Sequence, residues 1–590
     1  MHIRTKQDPA GSAPACDRLD MVMRYHQETK HHFSRFARAP GALDWANQPD
    51  PFRRYEGSPL FALPLLKPAD APASPLYEDL YRPGAIASAS LSVRSLSRLF
   101  EYSLAISAWK QAGEVRWALR SNPSSGNLHP TEAYLLIDDV AGLSPGPGLY
   151  HYAAREHGLE LRAQWPKESF MRLLQGFPPK AFLVGFASAI WRETWKYGER
   201  AFRYCQHDVG HAIGSVRIAA QTLGWRMLLL DGTADDTLAA LLGLDRDGDF
   251  EGAEREHPDC IAVIWPVEQA AGPATGTTSR VPLFLAADAD RDVTRRIWRG
   301  KANRLSRDEP VQWEILNEVV VASWKSSTQQ RVVELNHERS CADSSQQAAC
   351  HYPGRPSAAE VIRQRRSALA FDGTTSISAR SFFTMLTRVM PGVERSLCRR
   401  AMPWDVVPWE PAVHLALFVH RVDGLVPGLY LLARDPAQVA SLRDATHPQF
   451  DWTPAAGCPD DLPLFLLQAG DARALAAELS CAQDIAGESA FSLAMIAEIE
   501  PGLRRHGAWF YRRLFWETGL IGQVLYLEAE AAGVRATGIG CFFDDPVHQV
   551  MGFNDAGYQS LYHFTTGGPV EDSRLTTLPP YDLDRQGDLP

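Results

Sequence analysis

Residues 120–130 read RSNPSSGNLHP and crowd hydroxyl, amide and backbone N–H donors between two apolar stretches. Upstream, YSLAISAW (102–109) has a helix-like apolar pattern, and downstream EAYLLI (132–137) reads as a buried strand. A plain turn needs about four residues. This loop is longer, and a ligand with many acceptor atoms would suit it. Three other stretches carry similar interest: QRRSALAF at 364–371, ATGIGCFFDD at 536–545 and WKYGERAFR at 195–203. Each also has a plain reading. Arg365-Arg366 and Lys196 can be solvated helix starts, and Gly538–Gly540 can be a turn.

The elements that must position these residues emerge from an internal comparison. PGLY occurs at 147–150 and at 427–430, 280 positions apart. Further on the offset becomes 309 and holds: Gly198 with Gly507, Arg203 with Arg512, Gly210 with Gly519, Gly224 with Gly533, Asp235-Asp236 with Asp544-Asp545. The chain therefore reads as two divergent copies of one domain, at 81–267 and 356–570. Each copy runs strand (AYLLI; LALFV), PGLY with a second strand, two helices ending at a glycine, and a closing strand (CIAVIW; LYHFTT). Helices flanking a mainly antiparallel sheet make the expected fold class α+β. Residues 1–80 read as an extended arm, 268–355 as a linker and 571–590 as a tail. Within the linker, EQAAGPATGTTSR is low in complexity, RDVTRRIWRGKANRL is helix-like and NEVVVASW is strand-like.

The composition bounds the function. A formal charge of −10 argues against a nucleic-acid partner, and the basic run at 295–304 reads as a solvated face. Nine cysteines, an odd number without a CxxC, fit a reducing compartment rather than a disulfide framework or zinc ribbon. No secretory h-region and no membrane span are visible, so a cytoplasmic location is expected. No metal site is expected. His26, His31 and His32 read as solvated, and His207 and His211 as helix-surface or core residues. No GxGxxG follows a strand and no P-loop exists.

Taken together, PSSGN, QRRSALAF, ATGIGCFFDD and the two-copy frame resemble the FMN-dependent nitroreductase superfamily. Within it they are most similar to the SagB-type dehydrogenases, which include azoline oxidases acting on modified peptides. The resemblance covers both copies. It implies FMN bound at a subunit interface, with Arg-Arg-Ser and the GIG-type loop from one subunit and Pro-Ser-Ser from the other. This chain divides those parts between its copies. Copy 1 keeps PSSGN, where copy 2 reads VVPWEPA (406–412). Copy 2 keeps Arg365, Arg366, Ser367 and GIGCFF, where copy 1 reads LLDGTA (229–234). An intramolecular pseudo-dimer would assemble one complete pocket and leave its counterpart degenerate.

The residue types fit that resemblance. Arg365 and Arg366, and less directly Arg574, are candidates for the FMN phosphate. Pro123, Ser124, Ser125 and Asn127 would lie at the ring edge, with hydroxyls and amides donating to its acceptors. Gly538, Ile539 and Gly540 would bring backbone close to the ring. Lys196 and Tyr197 match a Lys-Tyr pair of the azoline-oxidising relatives, and a lowered pKa in either would suit removal of a substrate proton. The expected activity is a two-electron oxidation of a small-molecule or peptide substrate of azoline type. Two alternatives stand beside it: an NAD(P)H-dependent nitro or quinone reductase, with NAD(P)H stacking directly on the flavin, and a non-catalytic binding scaffold among biosynthetic-complex partners.

Overall fold

The computed structural model describes residues 15–67, 74–267, 278–286, 296–309, 311–336, 352, 354–392, 397, 400–553 and 557–581. Its first large sheet takes β3 (Thr131–Ile137), β4 (Gly148–Ala153), β5 (Gly158–Gln164), β6 (Phe182–Ser188), β7 (Trp225–Leu229) and β8 (His257–Pro266) in the order β5-β4-β3-β6-β8-β7. The second takes β9 (Val413–Val419), β10 (Gly428–Leu432), β11 (Leu464–Ala469), β12 (Phe491–Glu498), β13 (Arg535–Ile539) and β14 (Tyr558–Gly567) in the order β11-β10-β9-β12-β14-β13. Neighbours in both orders pair antiparallel. Position for position, the two orders are the same. The central strands TEAYLLI and VHLALFV are buried at every residue, because helices or loops cover both faces.

Two 22-residue helices, α3 (Ala201–Thr222) and α6 (Phe510–Ala531), pack on each other between the sheets. Gly210 and Gly519 meet at their crossing: a Cβ on Gly210 would lie 2.3 Å from the Trp516 carbonyl oxygen and 2.8 Å from Gly519 Cα. These glycines stand 309 positions apart. The same offset relates two reciprocal ion pairs. Arg203 binds Asp544 at 2.8 Å, and Arg512 binds Asp235. A contact that recurs with its partners exchanged is isologous, as across a twofold axis. Both helices are buried around almost their whole circumference, so their charges need partners. Arg217 finds Asp405, Arg513 finds Asp231, and Glu517 finds Arg434.

Several local expectations are corrected. YSLAISAW does not form a helix. Its second half enters β1 (Ile106–Ala112), which pairs with β2 (Val115–Arg120) and buries Ile106 with Phe52 and Ala118. Part of the N-terminal arm is a helix, α1 (Ala15–Glu28), whose Leu19, Val22 and Tyr25 enter the main core. His26 and His31 are buried rather than solvated: His26 meets the Tyr511 hydroxyl and His31 Nδ1 accepts from the Ala37 N–H. NEVVVASW is mostly helical, within α4 (Glu314–Ala322), which packs on α1 through a face that buries Ile315, Leu316 and Val319. The helix-like 291–305 holds only two-residue strands in its described part, Ile297–Trp298 and Lys301–Ala302; residues 291–295 lie outside the described residues. Most of EQAAGPATGTTSR lies outside them too, and its last residues begin a short strand, Thr278–Pro282. The segment read as a tail returns to the first half, where β15 (Thr576–Leu578) pairs with β1 and Tyr581 receives the Ile106 N–H. His207 and His211 are core residues on α3.

Candidate active site

The PSSGN loop owes its shape to left-handed backbone. Gly126, Asn127 and His129 have φ of 59°, 60° and 52°. Glycine adopts that region freely and asparagine tolerably, whereas histidine there carries strain. The loop meets its own polar needs first. Asn127 donates from its amide to the Ala118 carbonyl and meets His129 Nε2 at 3.0 Å, and Ser124 Oγ accepts the His129 N–H at 2.8 Å. Ser125 gives both its N–H and its hydroxyl to Asp208. Pro123 is buried, while Ser124, Ser125 and Asn127 are half-exposed and Gly126 exposed.

The second half reaches this loop through Arg365, at the C-terminal cap of helix α5 (Ala358–Gln364). Its guanidinium donates to the carbonyls of Arg120 (2.9 Å) and Ser121 (3.1 Å). Arg366 donates to the Ser107 carbonyl and hydroxyl on β1 and to the Arg363 and Arg365 carbonyls. Neither arginine has a carboxylate at ion-pair distance among the described residues. Burial, and for Arg366 also its charged neighbour Arg365, lowers both pKa values, that of Arg366 to about 10. Arg365 Nη1 is buried without a partner. One buried and one half-buried cation with only neutral acceptors leave unmet demand for an anion, which fits a phosphate group. Ser367 Oγ meets the Tyr526 hydroxyl at 2.9 Å, and that hydroxyl also receives the Gly538 N–H.

The glycines of GIG serve close side-chain approach. A Cβ on Gly538 would fall 1.9 Å from the Tyr562 hydroxyl, and one on Gly540 would fall 2.1 Å from the Tyr204 ring. Ile539 is buried in the core. Tyr204 donates to the Gly540 carbonyl at 3.0 Å and packs against Tyr197 with centroids 4.4 Å apart and the rings tilted by 52°. Tyr197 and Lys196 end helix α2 (Ile190–Tyr197) against Gly126: a Cβ there would meet the Tyr197 hydroxyl at 2.7 Å and Lys196 Nζ at 3.2 Å. PSSGN, Lys196-Tyr197, Arg365–Ser367 and Gly538–Gly540 thus form one contiguous cluster. Arg574 does not reach it by any described contact. It is exposed and pairs with Asp572 at 2.8 Å.

Two acids in this cluster escaped the sequence reading. Asp208 lies on α3 beneath Ser125, and burial pushes its pKa up to about 7 against its serine hydrogen bonds. Glu193, one turn before Lys196 on α2, is fully buried with neither carboxyl oxygen partnered. Burial, reinforced by Asp208, raises its pKa well above the usual carboxylate range. The same forces act on Tyr197: burial first, then Glu193, Tyr204 and Asp208, raise its pKa well above that of a free phenol. That reverses the expected lowering, so Tyr197 keeps its proton at neutral pH and can donate a hydrogen bond.

Residues 110–253 match the model of the Nitroreductase family. A stretch of 126 residues is 26% identical to "Putative nitroreductase MJ1384" of Methanocaldococcus jannaschii, covering 20% of this chain and 62% of that protein. A stretch of 133 residues is 29% identical to "Trifolitoxin-processing protein TfxB" of Rhizobium leguminosarum bv. trifolii, covering 21% of this chain and 35% of that one. The chain therefore spans less than two thirds of the length of either relative. The crystal structure of a "putative nitroreductase" from Anabaena variabilis superposes with a TM-score of 0.60 at 19% identity, over 93% of this chain and 99% of that one. Such identity speaks to fold. The chain carries a nitroreductase-family domain, residues 110–253, within a nitroreductase-like fold.

Proposed function

We propose that the chain is an FMN-dependent oxidoreductase of SagB-dehydrogenase type, with two tandem halves forming one composite site, and that it oxidises an azoline-type unit on a peptide. The observation that carries this is the Arg365–Arg366 pair. It comes from the second half, lacks a carboxylate partner among the described residues, and holds the base of the PSSGN loop of the first half. The peptide substrate is supported by the likeness to a trifolitoxin-processing protein.

In this reading Arg365 and Arg366 hold the cofactor phosphate. Ser124, Ser125 and the left-handed backbone at 126–127 face the ring edge. FMN, when bound, supplies the two-electron chemistry. Tyr197, protonated, donates a hydrogen bond to the substrate, and Lys196 Nζ beside it takes up the substrate proton. Asp208 can hold or release a proton near neutral pH at the oxygens that Ser125 contacts.

The test is the absorbance spectrum of the purified protein, with released flavin identified and counted. One FMN per chain, depleted in Arg366→Gln, is expected. A colourless protein that takes up no added FMN refutes the reading. With FMN bound, Lys196→Ala should keep the flavin and lose turnover of an azoline peptide. Turnover at the parent rate would remove Lys196 from the mechanism.

A further inference from the structure

We propose that Cys481 and Cys541 are a reversible dithiol–disulfide site, closed by exchange with a low-molecular-weight disulfide. This inference does not depend on the flavin reading. The two sulfurs lie 2.7 Å apart although the residues are 60 positions apart in sequence. Cys541 follows Gly540 at the end of β13. Cys481 sits in the turn after helix Arg473–Leu479, and both it and Ala482 have left-handed backbone, φ 55° and 56°.

The two segments are held together independently of the sulfurs. Gln483 Nε2 donates to the Cys541 carbonyl at 3.1 Å, and the Phe543 N–H donates to the Leu479 carbonyl at 2.9 Å. The fold thus keeps both sulfurs in reach of one another before any bond forms. Both cysteines are half-buried, so a small reagent can reach them. The surroundings divide the roles. Contact with the Cys481 thiol, with His31 and Arg200 in support, lowers the Cys541 pKa to about 5, while the same sulfur contact and burial raise that of Cys481. A thiolate is the attacking form. Three other cysteines differ: Cys205 and Cys260 are buried with raised pKa, and burial pushes Cys458 up to about 11.

The step balances. The Cys541 thiolate attacks a disulfide R–S–S–R, and the first RS⁻ leaves with a proton as RSH. Cys481 then loses its proton and attacks the Cys541 sulfur of the mixed disulfide, and the second RS⁻ leaves as RSH. Two protein thiols are oxidised and one small disulfide is reduced. The new bond would tether the Gly540 loop, whose carbonyl Tyr204 and Arg200 already hold, to the 480–483 turn.

The experiment uses the folded full chain, reduced and then exposed to oxidised glutathione, acid-quenched, denatured and alkylated. Peptide mass mapping should find 481 and 541 joined, lighter by two hydrogens and unalkylated, with Cys205 and Cys260 alkylated. Treatment with dithiothreitol should restore both thiols. Alkylation of both 481 and 541 after oxidation, or separate glutathione adducts on each, overturns the proposal. Cys481→Ser should trap a glutathione adduct on Cys541 that dithiothreitol removes; an unmodified Cys541 in that variant also overturns it.

Discussion

Replacing Gly210 by alanine tests the close crossing of α3 and α6. The new Cβ would stand 2.3 Å from the Trp516 carbonyl oxygen and 2.8 Å from Gly519 Cα, where ordinary contact begins at about 3.4 Å. The helices must then separate by roughly 1 Å, and both obstacles are backbone, so no side chain can swing aside. Overpacking of this kind costs about 3 kcal/mol at the upper end of its usual range. Alanine recovers about 1 kcal/mol of helix propensity over glycine, which leaves a net loss of about 2 kcal/mol. Gly502→Ala is the matched control. That glycine lies in the helix Glu500–His506, and a Cβ there meets nothing within 4 Å. Only the propensity gain applies, and stability should rise by up to about 1 kcal/mol. Thermal unfolding followed by calorimetry should place Gly210→Ala below the parent and Gly502→Ala at or above it. Gly210→Ala melting at or above the parent would refute the crossing geometry.

Three other substitutions probe buried charge. Asp544 receives Arg200 at 3.0 Å and Arg203 at 2.8 Å; Asp544→Asn leaves two buried guanidiniums short of charge and should cost about 3–5 kcal/mol, read as a lowered Tm. His151 is buried between Glu132 (3.0 Å) and Glu160 (2.9 Å), which against the burial penalty lift its pKa to about 9. Its folded pKa exceeds the unfolded ~6.5, so its contribution is full below ~6.5 and is lost as pH rises through 9. His151→Gln should flatten the fall of Tm over that window. Asp208, with pKa raised to about 7 by burial, should contribute an ionisation near neutral pH to the turnover profile. Asp208→Asn keeps an acceptor for Ser125 and should remove that ionisation; an unchanged profile refutes the assignment.

Where periodicity and spacing carry physical information, the sequence was readable. Gly210 and Gly519 could be paired by their offset because only glycine tolerates that crossing, and AYLLI and LALFV could be read as strands because burial on both faces demands unbroken apolar runs. Elsewhere the local pattern was ambiguous. NEVVVASW has strand propensity, yet it continues a helix begun at Glu314 that packs on α1 and buries Ile315, Leu316 and Val319, and tertiary packing overrides propensity. YSLAISAW straddles a helix end and a strand start, so neither period holds across it. Glu193 and Asp208 were hidden for a different reason. A carboxyl on a helix normally reads as solvated, and only the packing around α2 and α3 shows that these two are not.

The positions related by the offset of 309 divide into two kinds. At the helix crossing, both members keep their chemistry: Gly210 with Gly519, and the Arg203–Asp544 and Arg512–Asp235 pairs. These groups hold the halves together, and losing either member of a reciprocal pair leaves a buried charge exposed to its full desolvation cost. At the loops the members diverge. Opposite Lys196-Tyr197, at that offset, stand Arg505 and His506; PSSGN precedes the stretch where the offset holds, and its counterpart before the central strand is the run 406–412 through Trp409 and Glu410. These four line a cavity of about 460 Å³ together with Asp231 and Trp509, so room for a ligand is present on that side. What that side lacks is the hydroxyl-rich loop. Asp231 is also already engaged, bound by Arg513 at 2.8 Å. If FMN binds as proposed, whether this side takes a second copy turns on donor chemistry, since the cavity there leaves room for one.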